Sequence, residues 1–350
     1  MKKFIKGMMV LSVGVLLAGC SCNDNNSDNP IIESGEASNE VVDVSNAYET
    51  LYNEAVKSTV RVEAGTQLGS GVVYKEEGNL AYILTNAHVL TDANGTPYYN
   101  SIDIVFSNYA KVKGTYIYLD RNEDVAVISV PKSDNYTVAK IVNSDTDVSV
   151  GESVFSIGNP YGIYFSMTEG TLSSNRIKTA TDYISGTSNT KTYVYNSTAT
   201  INKGNSGGPL FNSNGEVIAI NSMQPSSEDM RNFNYSIPIN YFIKVANYLV
   251  TNRSAYVKPT LGINVKSICD YSSGELQTLG ITVSKGVHVT TSNESEVAKG
   301  RIVTHINGNE IATLADYEFD LLKYIKNDTI TLTTTDIVGS QVRSVNVKVK

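Results

Sequence analysis

The sequence predicts a mainly β protein in which a large unit of short strands precedes a small α/β module. Apolar and polar residues alternate with period two in short runs such as residues 60–64 and 125–128, a pattern typical of half-buried strands. Clusters of Gly, Asn and Asp, such as residues 92–95, separate these runs. Short strands at regular spacing with turn signals between them predict an all-β barrel or sandwich.

The elements follow in order along the chain. A short helix is predicted over residues 48–56, where acidic and apolar residues mix. The predicted strands of the large unit cover residues 60–64, 71–74, 81–84, 102–106, 125–128, 154–157, 192–195 and 217–220. Apolar residues at i, i+3 and i+4 then predict a helix over 239–252 that closes the unit. Beyond the linker at Lys258 and Pro259, strands are predicted at 286–290, 302–306, 329–333 and 342–350, with one helix at 314–324.

Composition excludes several classes of protein. The chain has 350 residues, of which 41% are apolar and 18% charged, so it can bury a sizeable core and is not disordered as a whole. Its net charge of −7, without a block of Lys and Arg interleaved with aromatics, argues against nucleic-acid binding. Three cysteines cannot form a multi-bridge scaffold, and no C-x-x-C begins a zinc site. We therefore expect no metal and no cofactor.

The N-terminus has the features of a targeting segment. Three lysines precede an apolar run over residues 8–18, which is too short to span a bilayer but suits a signal peptide. The run ends in Leu17-Ala18-Gly19-Cys20, which resembles the lipobox of bacterial lipoproteins. The resemblance implies cleavage before Cys20 and lipid attachment to it. The alternative is an ordinary secretory signal with a chance cysteine nearby.

A polar, acidic segment follows the signal. Residues 21–56 hold eight acidic residues and no Lys or Arg, and such a composition favours a flexible tether, assigned to residues 20–47. Removing residues 1–19 takes away three lysines and changes the net charge from −7 to −10. The lipid, rather than charge, would then hold the protein at an anionic membrane. Cys22 is either a second acylation site or a free thiol.

The strongest chemical signal is a glycine-rich run around a serine, residues 204–210. A serine flanked by glycines can sit on a tight turn, with its hydroxyl exposed and backbone N–H groups free to face an oxyanion. The alternative is a glycine-rich β-turn without chemistry. A nucleophilic Ser206 needs a base, and His88 is the only histidine before residue 288. Asp124, directly before an alternating strand, is the preferred orienting acid, with Asp120 and Asp103 as rivals.

The order His, Asp, Ser is that of chymotrypsin-like proteases, and the surrounding residues resemble the HtrA (Deg) family of bacterial serine proteases. The matching segments lie in family order at residues 69–73, 85–89, 124–127, 151–152, 157–160, 168–170, 204–210 and 235–238. The resemblance implies a double six-stranded β-barrel. It also implies Ser206 as nucleophile, His88 as base and Asp124 as orienting acid. The backbone N–H groups of Gly204 and Ser206, with Asn205 between them, would form the oxyanion hole.

Two departures from related proteases bear on activation and specificity. Thr198-Ala199 stands where the family often has Asp-Ala, and Asn205 stands where digestive relatives carry an Asp that pairs with a new N-terminus. Activation by that ion pair is therefore not expected. The predicted substrate pocket contains no carboxylate, so we expect a small or medium apolar residue at the cleaved position rather than Lys or Arg. Its predicted lining residues are Thr200, Ile201, Ile220, Asn221 and Ser222.

The C-terminal module resembles a PDZ domain. Leu261, Gly262 and Ile263 match its carboxylate-binding loop, and residues 286–289, 300–303 and 306–311 match later strands and a turn. The usual Gly-Asp pair reads Gly-Arg at 300–301. The resemblance implies capture of hydrophobic C-terminal peptides as an added strand. The alternative is an α/β appendage that only stabilises the larger unit.

Together these features predict a lipid-anchored extracytoplasmic serine endopeptidase that cleaves unfolded or damaged proteins. The predicted organisation is a signal (1–19), a tether (20–47), a protease domain (48–257) and a PDZ-like domain (258–350). The resemblance further implies a homo-oligomer, with a trimer favoured. The competing hypothesis is a chaperone or peptide-binding protein on a protease scaffold, with cleavage secondary.

Overall fold

The structure is a computed structural model that describes residues 45–144, 147–180, 191–223 and 233–350. The predicted signal, the tether up to residue 44, Cys20 and Cys22 lie outside the described residues. Within the described ranges, no helix is long and apolar enough to cross a membrane.

The first half of the large unit is a seven-stranded antiparallel sheet. A helix, α1 (Ser45–Ala55), and a 3-10 turn (Val56–Ser58) precede it. The strand order is β5-β4-β1-β2-β3-β7-β6. The strands are β1 (Thr59–Ala64), β2 (Gln67–Glu77), β3 (Leu80–Thr85), β4 (Ile102–Val105), β5 (Lys111–Lys113), β6 (Thr115–Asp120) and β7 (Val125–Pro131).

The two edges of this sheet are joined through one residue. Strands β5 and β6 lie at opposite edges, yet only Gly114 separates them in the chain. A Cβ at Gly114 would lie 2.8 Å from Ile128 Cγ2 and 3.0 Å from Ile102 Cγ2, so the chain turns this corner directly over the core. The sheet therefore curves into a half-barrel. Its two edge strands, β5 and β6, are joined by the chain at Gly114 and not by a ladder of hydrogen bonds. The resemblance implied a closed six-stranded barrel in this half, and the structure has a seven-stranded sheet instead.

The second half of the unit is a closed six-stranded barrel with the order β10-β13-β12-β11-β8-β9. Its strands are β8 (Ser153–Gly158), β9 (Ser166–Ala180), β10 (Lys191–Ser197), β11 (Pro209–Asn212), β12 (Val217–Met223) and β13 (Asn234–Pro238). The predicted mainly β class is thus confirmed, with one complete barrel and one half-barrel.

Two apolar clusters are buried, one within the half-barrel and one that joins the closed barrel to strands of the half-barrel. The first cluster is built on strands β1 to β4 and β7 and includes Ile83, Ile104 and Ile128, all fully buried. The second fills the closed barrel, where Phe155 stacks on Phe211 with ring centroids 5.0 Å apart. Burying one such side chain contributes about 1.5–3 kcal/mol, so these clusters fix the strand register.

A single helix holds the two halves together. Helix α2 (Ile239–Asn252) spans the residues that the periodicity predicts, and it ends at Arg253, which adopts a left-handed φ of 50°. Its buried face packs on β12 and β13 of the barrel and on β6 and β7 of the half-barrel. The turn between β6 and β7, which carries Asp124, is therefore supported by α2.

The C-terminal module is a six-stranded sheet with two helices. The main strand order is β14-β15-β16-β18-β19, and β17 pairs with β16. Its elements are β14 (Ile263–Ser267), a 3-10 turn (Ile268–Asp270), α3 (Ser273–Leu279), β15 (Val287–Ser292), β16 (Ile302–Ile306), β17 (Asn309–Glu310), α4 (Leu314–Leu321), β18 (Thr329–Thr335) and β19 (Arg343–Lys348). The module has a core of its own around Val289, Ile306 and Leu332.

Most predicted elements are present, and several are added. Every predicted strand overlaps an observed one, and the predicted helix at 314–324 ends at Leu321. Strands β5, β6, β9, β11, β13, β14 and β17 and helix α3 were not predicted. Helix α3 begins with a capping box between Ser272 and Glu275, a signal that is readable in the sequence.

Candidate active site

His88 and Asp124 are brought together at one edge of the half-barrel. His88 lies in a 3-10 turn (Ala87–Leu90) directly after β3, and Asp124 lies in the turn before β7 with a left-handed φ of 54°. Strands β3 and β7 are paired neighbours, which places the two turns side by side. The Asn86 amide donates to the Asp124 backbone carbonyl at 3.0 Å and fixes their spacing.

The Asp124 carboxylate is buried and contacts both the ring and the backbone of His88. His88 Nδ1 lies 3.0 Å from each carboxylate oxygen, and the His88 backbone N–H donates to Oδ1 at 3.1 Å. The Ser222 hydroxyl donates to Oδ2 at 2.7 Å. Burial alone would lower the pKa of His88, but the charge and hydrogen bond of Asp124 outweigh it, so that the pKa lies above its ordinary value.

The two rival carboxylates of the sequence analysis are engaged elsewhere. Asp120 accepts the backbone N–H groups of Asn122 and Glu123 and so shapes the turn that leads to Asp124. Asp103 forms surface ion pairs with Lys111 and Lys113. Of the three candidates, Asp124 is the one in contact with His88.

Ser206 is placed next to this pair but its hydroxyl points elsewhere. Its Oγ donates to the Ser222 carbonyl at 2.9 Å, and among the described contacts it has no hydrogen bond with His88. Ser222 therefore bonds both Ser206, through its carbonyl, and Asp124, through its hydroxyl. Catalytic hydrogen bonds are often long or poorly aligned without substrate, so this geometry is compatible with Ser206 as the predicted nucleophile.

The turn around Ser206 leaves two backbone donors open. The Asn205 N–H donates to the Asn202 carbonyl, and the Gly207 N–H donates to the Asn221 carbonyl. Within the described part of the chain, no acceptor is found for the N–H groups of Gly204 and Ser206. These are the two donors that the resemblance assigns to the oxyanion hole. Gly204 has a φ of 109°, a conformation that a side chain would strain.

Two buried polar residues, which the sequence analysis left without a role, support this turn. The Ser70 hydroxyl donates to the Gly204 carbonyl at 2.8 Å, and the Ser70 N–H donates to the Ser206 carbonyl at the same distance. Asn159 donates to the Ser70 Oγ from both its backbone and its side chain at 3.0 Å. The only sequence signal for them was their place in the matching segments 69–73 and 157–160.

The residues predicted to line the substrate pocket lie in different environments. Ile201 and Ile220 are buried, and Asn221 is buried with its amide donating to Ser156 Oγ at 2.7 Å. The Ser222 hydroxyl is directed to Asp124. Thr200 alone of the five has an exposed side chain. Residues 224–232, which follow β12, lie outside the described residues, and the lining of the pocket stays a prediction.

Asn205 is buried, and the oxygen of its side-chain amide accepts no hydrogen bond from the described residues. Its Oδ1 is buried without a hydrogen-bond partner among the described residues, and its Nδ2 lies 3.5 Å from the Thr200 carbonyl. A Cβ at Gly158 would lie 2.5 Å from this Oδ1, so Gly158 makes room for it.

Comparisons with known proteins bear on the larger unit. Residues 69–220 match the family model of the trypsin-like peptidase domain. This part of the chain is therefore similar to a trypsin-like peptidase domain. Over 324 residues it is 28% identical to the "Serine protease HtrA-like" protein of Staphylococcus aureus strain MRSA252, covering 85% of this chain and 41% of that protein. The chain thus spans about two fifths of the length of such curated relatives.

Solved structures share the fold of the protease domain and of the module behind it. The HtrA-type protease AlgW with a tripeptide superposes with a TM-score of 0.64 at 20% identity, covering 86% of this chain and 96% of that one. The serine endoprotease from Yersinia pestis gives a TM-score of 0.53 at 23% identity, covering 87% and 97%. At these identities the likeness concerns the fold alone.

The predicted carboxylate loop lies at the edge of the C-terminal sheet. Leu261 is buried, Gly262 has a left-handed φ of 68°, and Ile263 begins β14. Strand β14 pairs only with β15 among the described strands, and helix α4 contacts its other side. His288 and His305 lie in this module, where His288 Nδ1 meets the Tyr271 hydroxyl at 2.8 Å. Across the described ranges no group of three or more His, Cys, Asp or Glu residues is arranged to hold a metal ion.

Proposed function

We propose that the chain is a serine endopeptidase with His88, Asp124 and Ser206 as its triad. The observation that carries the proposal is the buried Asp124 carboxylate, 3.0 Å from His88 Nδ1 and linked through Ser222 to Ser206. The fold and the trypsin-like family match support the same reaction.

The chemistry follows from these contacts. Ser206 Oγ attacks the peptide carbonyl while His88 Nε2 takes its proton, and Asp124 stabilises the imidazolium that forms. The carbonyl oxygen becomes negative and is stabilised by the N–H groups of Gly204 and Ser206. His88 then protonates the leaving amine, and an acyl-enzyme remains on Ser206. Water, deprotonated by His88, hydrolyses that ester and restores the serine.

Unfolded or damaged polypeptides are the proposed substrates. A protease of this type needs an extended segment at Ser206, and unfolded chains supply such segments. The free edge of β14 beside α4 offers a place where the C-terminal residues of a substrate add as a strand, with Leu261, Gly262 and Ile263 at its carboxylate end. We propose this PDZ-like role for the C-terminal module.

We also propose that the protein is extracytoplasmic and held at the membrane by lipid on Cys20. The support is the spacing of lysines, apolar run and cysteine in the sequence. The full chain expressed in a bacterial host should partition into detergent, and Cys20→Ala should move it to the aqueous phase. Cys22→Ala is the matched control and should leave partitioning unchanged.

A homo-oligomer, with a trimer favoured, completes the proposal. Four large apolar side chains are exposed in one region. Three of them, Tyr161, Ile163 and Tyr164, are close in the sequence, and the ring of Tyr109 contacts that of Tyr164. Patches of this kind often mark interfaces. Sedimentation of the chain from residue 45 onwards should give a mass above that of the monomer, and Tyr109→Ser with Tyr164→Ser should lower it.

The decisive experiment concerns Ser206. Wild type should degrade unfolded casein and react covalently with a fluorophosphonate probe, and Ser206→Ala should do neither. Ser173→Ala, which removes an exposed hydroxyl in β9, is the control and should behave as wild type. Equal casein cleavage by Ser206→Ala and wild type, or probe attachment at another residue, would contradict the proposal. Suppression of casein aggregation without cleavage in both proteins would favour the chaperone hypothesis instead.

A further inference from the structure

A cleft with a cation at its rim opens beside the catalytic histidine. The cleft has a volume of about 250 Å³, and His88, Asp92, Gly95 and Arg121 are among its lining residues. Two turns form its walls, the one at 92–96 after the His88 turn and the one at 121–124 that carries Asp124. The His88 side chain is 37% exposed, so the cleft and the reacting imidazole share one space.

Arg121 is held over this cleft by the shape of the opposite wall. A Cβ at Gly95 would lie 2.1 Å from Arg121 Nη1 and 2.3 Å from its Cζ, so the guanidinium rests where a side chain would otherwise stand. The wall itself is well ordered by hydrogen bonds, since Asp92 Oδ1 accepts the N–H groups of Asn94 and Thr96 at 2.8 Å each. Gly95 has a φ of 78°, a backbone conformation in which any other residue would be strained.

The guanidinium is a charge without a partner in this part of the molecule. Throughout the described ranges Arg121 has neither an ion pair nor a hydrogen bond, although arginine has five N–H donors. The carboxylates that line the cleft are already engaged: both oxygens of Asp124 accept hydrogen bonds, and Asp92 Oδ1 accepts two. Arg121 is exposed at the rim of the cleft, so its guanidinium is available to an anion from outside the chain.

We propose that this cleft is a specificity subsite for a carboxylate of the substrate, with Arg121 as its cation. The proposal rests on the proposed endopeptidase activity, because only a substrate aligned for attack passes His88. Consecutive Cα atoms are about 3.8 Å apart, so the side chains within about three residues of the scissile bond reach the cleft. An acidic side chain, Asp or Glu, close to the cleaved bond is the favoured source of the carboxylate. The free C-terminus of a short peptide is the other source.

Peptide binding and cleavage test the proposal. A neutral peptide that the wild type cleaves is re-synthesised with Glu or Gln at each of the three positions on either side of the scissile bond, and each peptide is made with a C-terminal acid or amide. At one or more positions Glu should raise kcat/KM about two- to fivefold over Gln at low salt, the range of a partly exposed ion pair, and less in high salt. Arg121→Gln should abolish that preference, so that the Glu and Gln peptides are cleaved with equal kcat/KM.

Three further variants sharpen the test. Arg121→Glu should reverse the preference towards peptides with Lys at the same position. Asp92→Asn should strengthen the preference for Glu, because it removes one of the negative charges that line the cleft. Arg343→Gln removes an exposed cation of β19, far along the chain, and should leave the preference unchanged.

The outcomes separate the two proposals. The same peptides are also bound to the Ser206→Ala chain and followed by fluorescence anisotropy, which reports the subsite whether or not the chain cleaves anything. A preference for Glu peptides that Arg121→Gln removes supports the subsite, and a preference only for peptides with a free C-terminal acid assigns it to a chain end. Equal binding of Glu and Gln peptides, or an equal effect of Arg121→Gln and Arg343→Gln, overturns the subsite. Absence of cleavage by wild type with the preference intact overturns the endopeptidase alone.

Discussion

At the scale of single residues, the Asp124 carboxylate is where most of the site's interactions meet. It is 1% exposed and accepts hydrogen bonds from the His88 backbone and ring and from the Ser222 hydroxyl. A buried carboxylate is tolerated because these donors replace water. Its left-handed backbone, at a φ of 54°, is the conformational cost of turning the side chain under the imidazole.

Replacing this carboxylate should separate Asp124 from its sequence rivals. Asp124→Asn should lower kcat about 10⁴-fold, as loss of the orienting acid does in a serine protease triad, with the fold retained. Asp103→Asn, which alters only surface ion pairs with lysines, is the control and should keep nearly full activity. Steady-state kinetics on a peptide substrate measure both. A small loss in Asp124→Asn together with a large one in Asp103→Asn would reverse the assignment.

Ser222 is expected to position the carboxylate rather than contact substrate. Ser222→Ala removes the 2.7 Å hydrogen bond to Asp124 Oδ2. Loss of a hydrogen bond to a charged group costs about 1.5–3 kcal/mol, so kcat should fall about tenfold or more while KM stays near wild type. Ser222→Thr keeps a hydroxyl and should restore part of kcat. A change confined to KM would show that Ser222 lines the substrate pocket, as the sequence analysis predicted.

The raised pKa of His88 predicts opposite pH effects on activity and stability. The base must be neutral to accept a proton, so kcat/KM should rise with pH with a midpoint above 6.5, the ordinary value. The interaction of protonated His88 with Asp124 stabilises the fold below the unfolded pKa, and this contribution is lost as pH rises through the folded pKa. Thermal unfolding of wild type and His88→Gln between pH 5 and 9 should therefore converge at high pH. A constant difference across that range would contradict the pKa assignment.

At the scale of elements, the turn between β6 and β7 is clamped from behind. Glu123, 2% exposed, accepts from the Tyr241 hydroxyl of α2 at 2.6 Å and pairs with Lys258 of the linker at 3.1 Å. Burial raises the pKa of Glu123, and Lys258 and Tyr241 only partly oppose that rise. The Tyr256 N–H adds a hydrogen bond to Asp120 at 2.7 Å. Helix and linker thus hold the turn that presents Asp124.

Replacing Lys258 alone should lower the free energy of unfolding more than replacing both Glu123 and Lys258. Lys258→Met leaves a buried carboxylate without its cation and should destabilise the fold by about 2–3 kcal/mol, below the usual cost of about 3–5 kcal/mol because Lys258 is 28% exposed. The double variant Glu123→Gln with Lys258→Met should lose less. Urea unfolding gives both free energies, and Lys285→Met, in an exposed pair with Glu310, serves as the control. Additive losses would show that the two groups do not interact.

Elements with a clear apolar period in the sequence were predictable, and elements that depend on contacts between distant residues were not. Helix α2 was predictable because its helical period is uninterrupted, and His88, Asp124 and Ser206 could be singled out because they stand in short motifs beside strands with clear alternation. Strand β13 was missed because its buried residues include Asn234 and Ser236, whose hydrogen bonds to distant groups replace the apolar pattern. The contacts of Ser70 with Gly204 and of Ser222 with Asp124 join residues 134 and 98 positions apart. No local pattern encodes such pairs.

At the scale of the whole molecule, helix α4 and the residues after it attach the C-terminal module to the larger unit through both polar and apolar contacts, and Leu322 packs on the core of the larger unit. The Tyr193 hydroxyl of β10 donates to Glu318 Oε2 at 2.6 Å, and its ring meets Phe319 edge-on with centroids 5.9 Å apart. Lys244 of α2 donates to the backbone carbonyls of Leu322 and Tyr324 at the end of α4. Burial lowers the pKa of Lys244 to about 8, so holding it as an ammonium there has a cost. Helix α4 is also the element that contacts β14, the proposed peptide edge.

Because two of the polar contacts come from the side chains of Tyr193 and Lys244, we expect that two substitutions loosen the module without unfolding either part. Tyr193→Phe removes one hydrogen bond, and Lys244→Met leaves two carbonyls for water to satisfy, which an opened surface permits. The double variant should show a larger radius of gyration by small-angle scattering and faster proteolysis in the linker at residues 253–260. Its unfolding midpoint should stay within a few degrees of wild type, since the two cores are separate. Lys285→Ala, which removes an exposed pair inside the module, should change neither measurement. An unchanged radius and an uncut linker in the double variant would show that the module is held by more than these side chains.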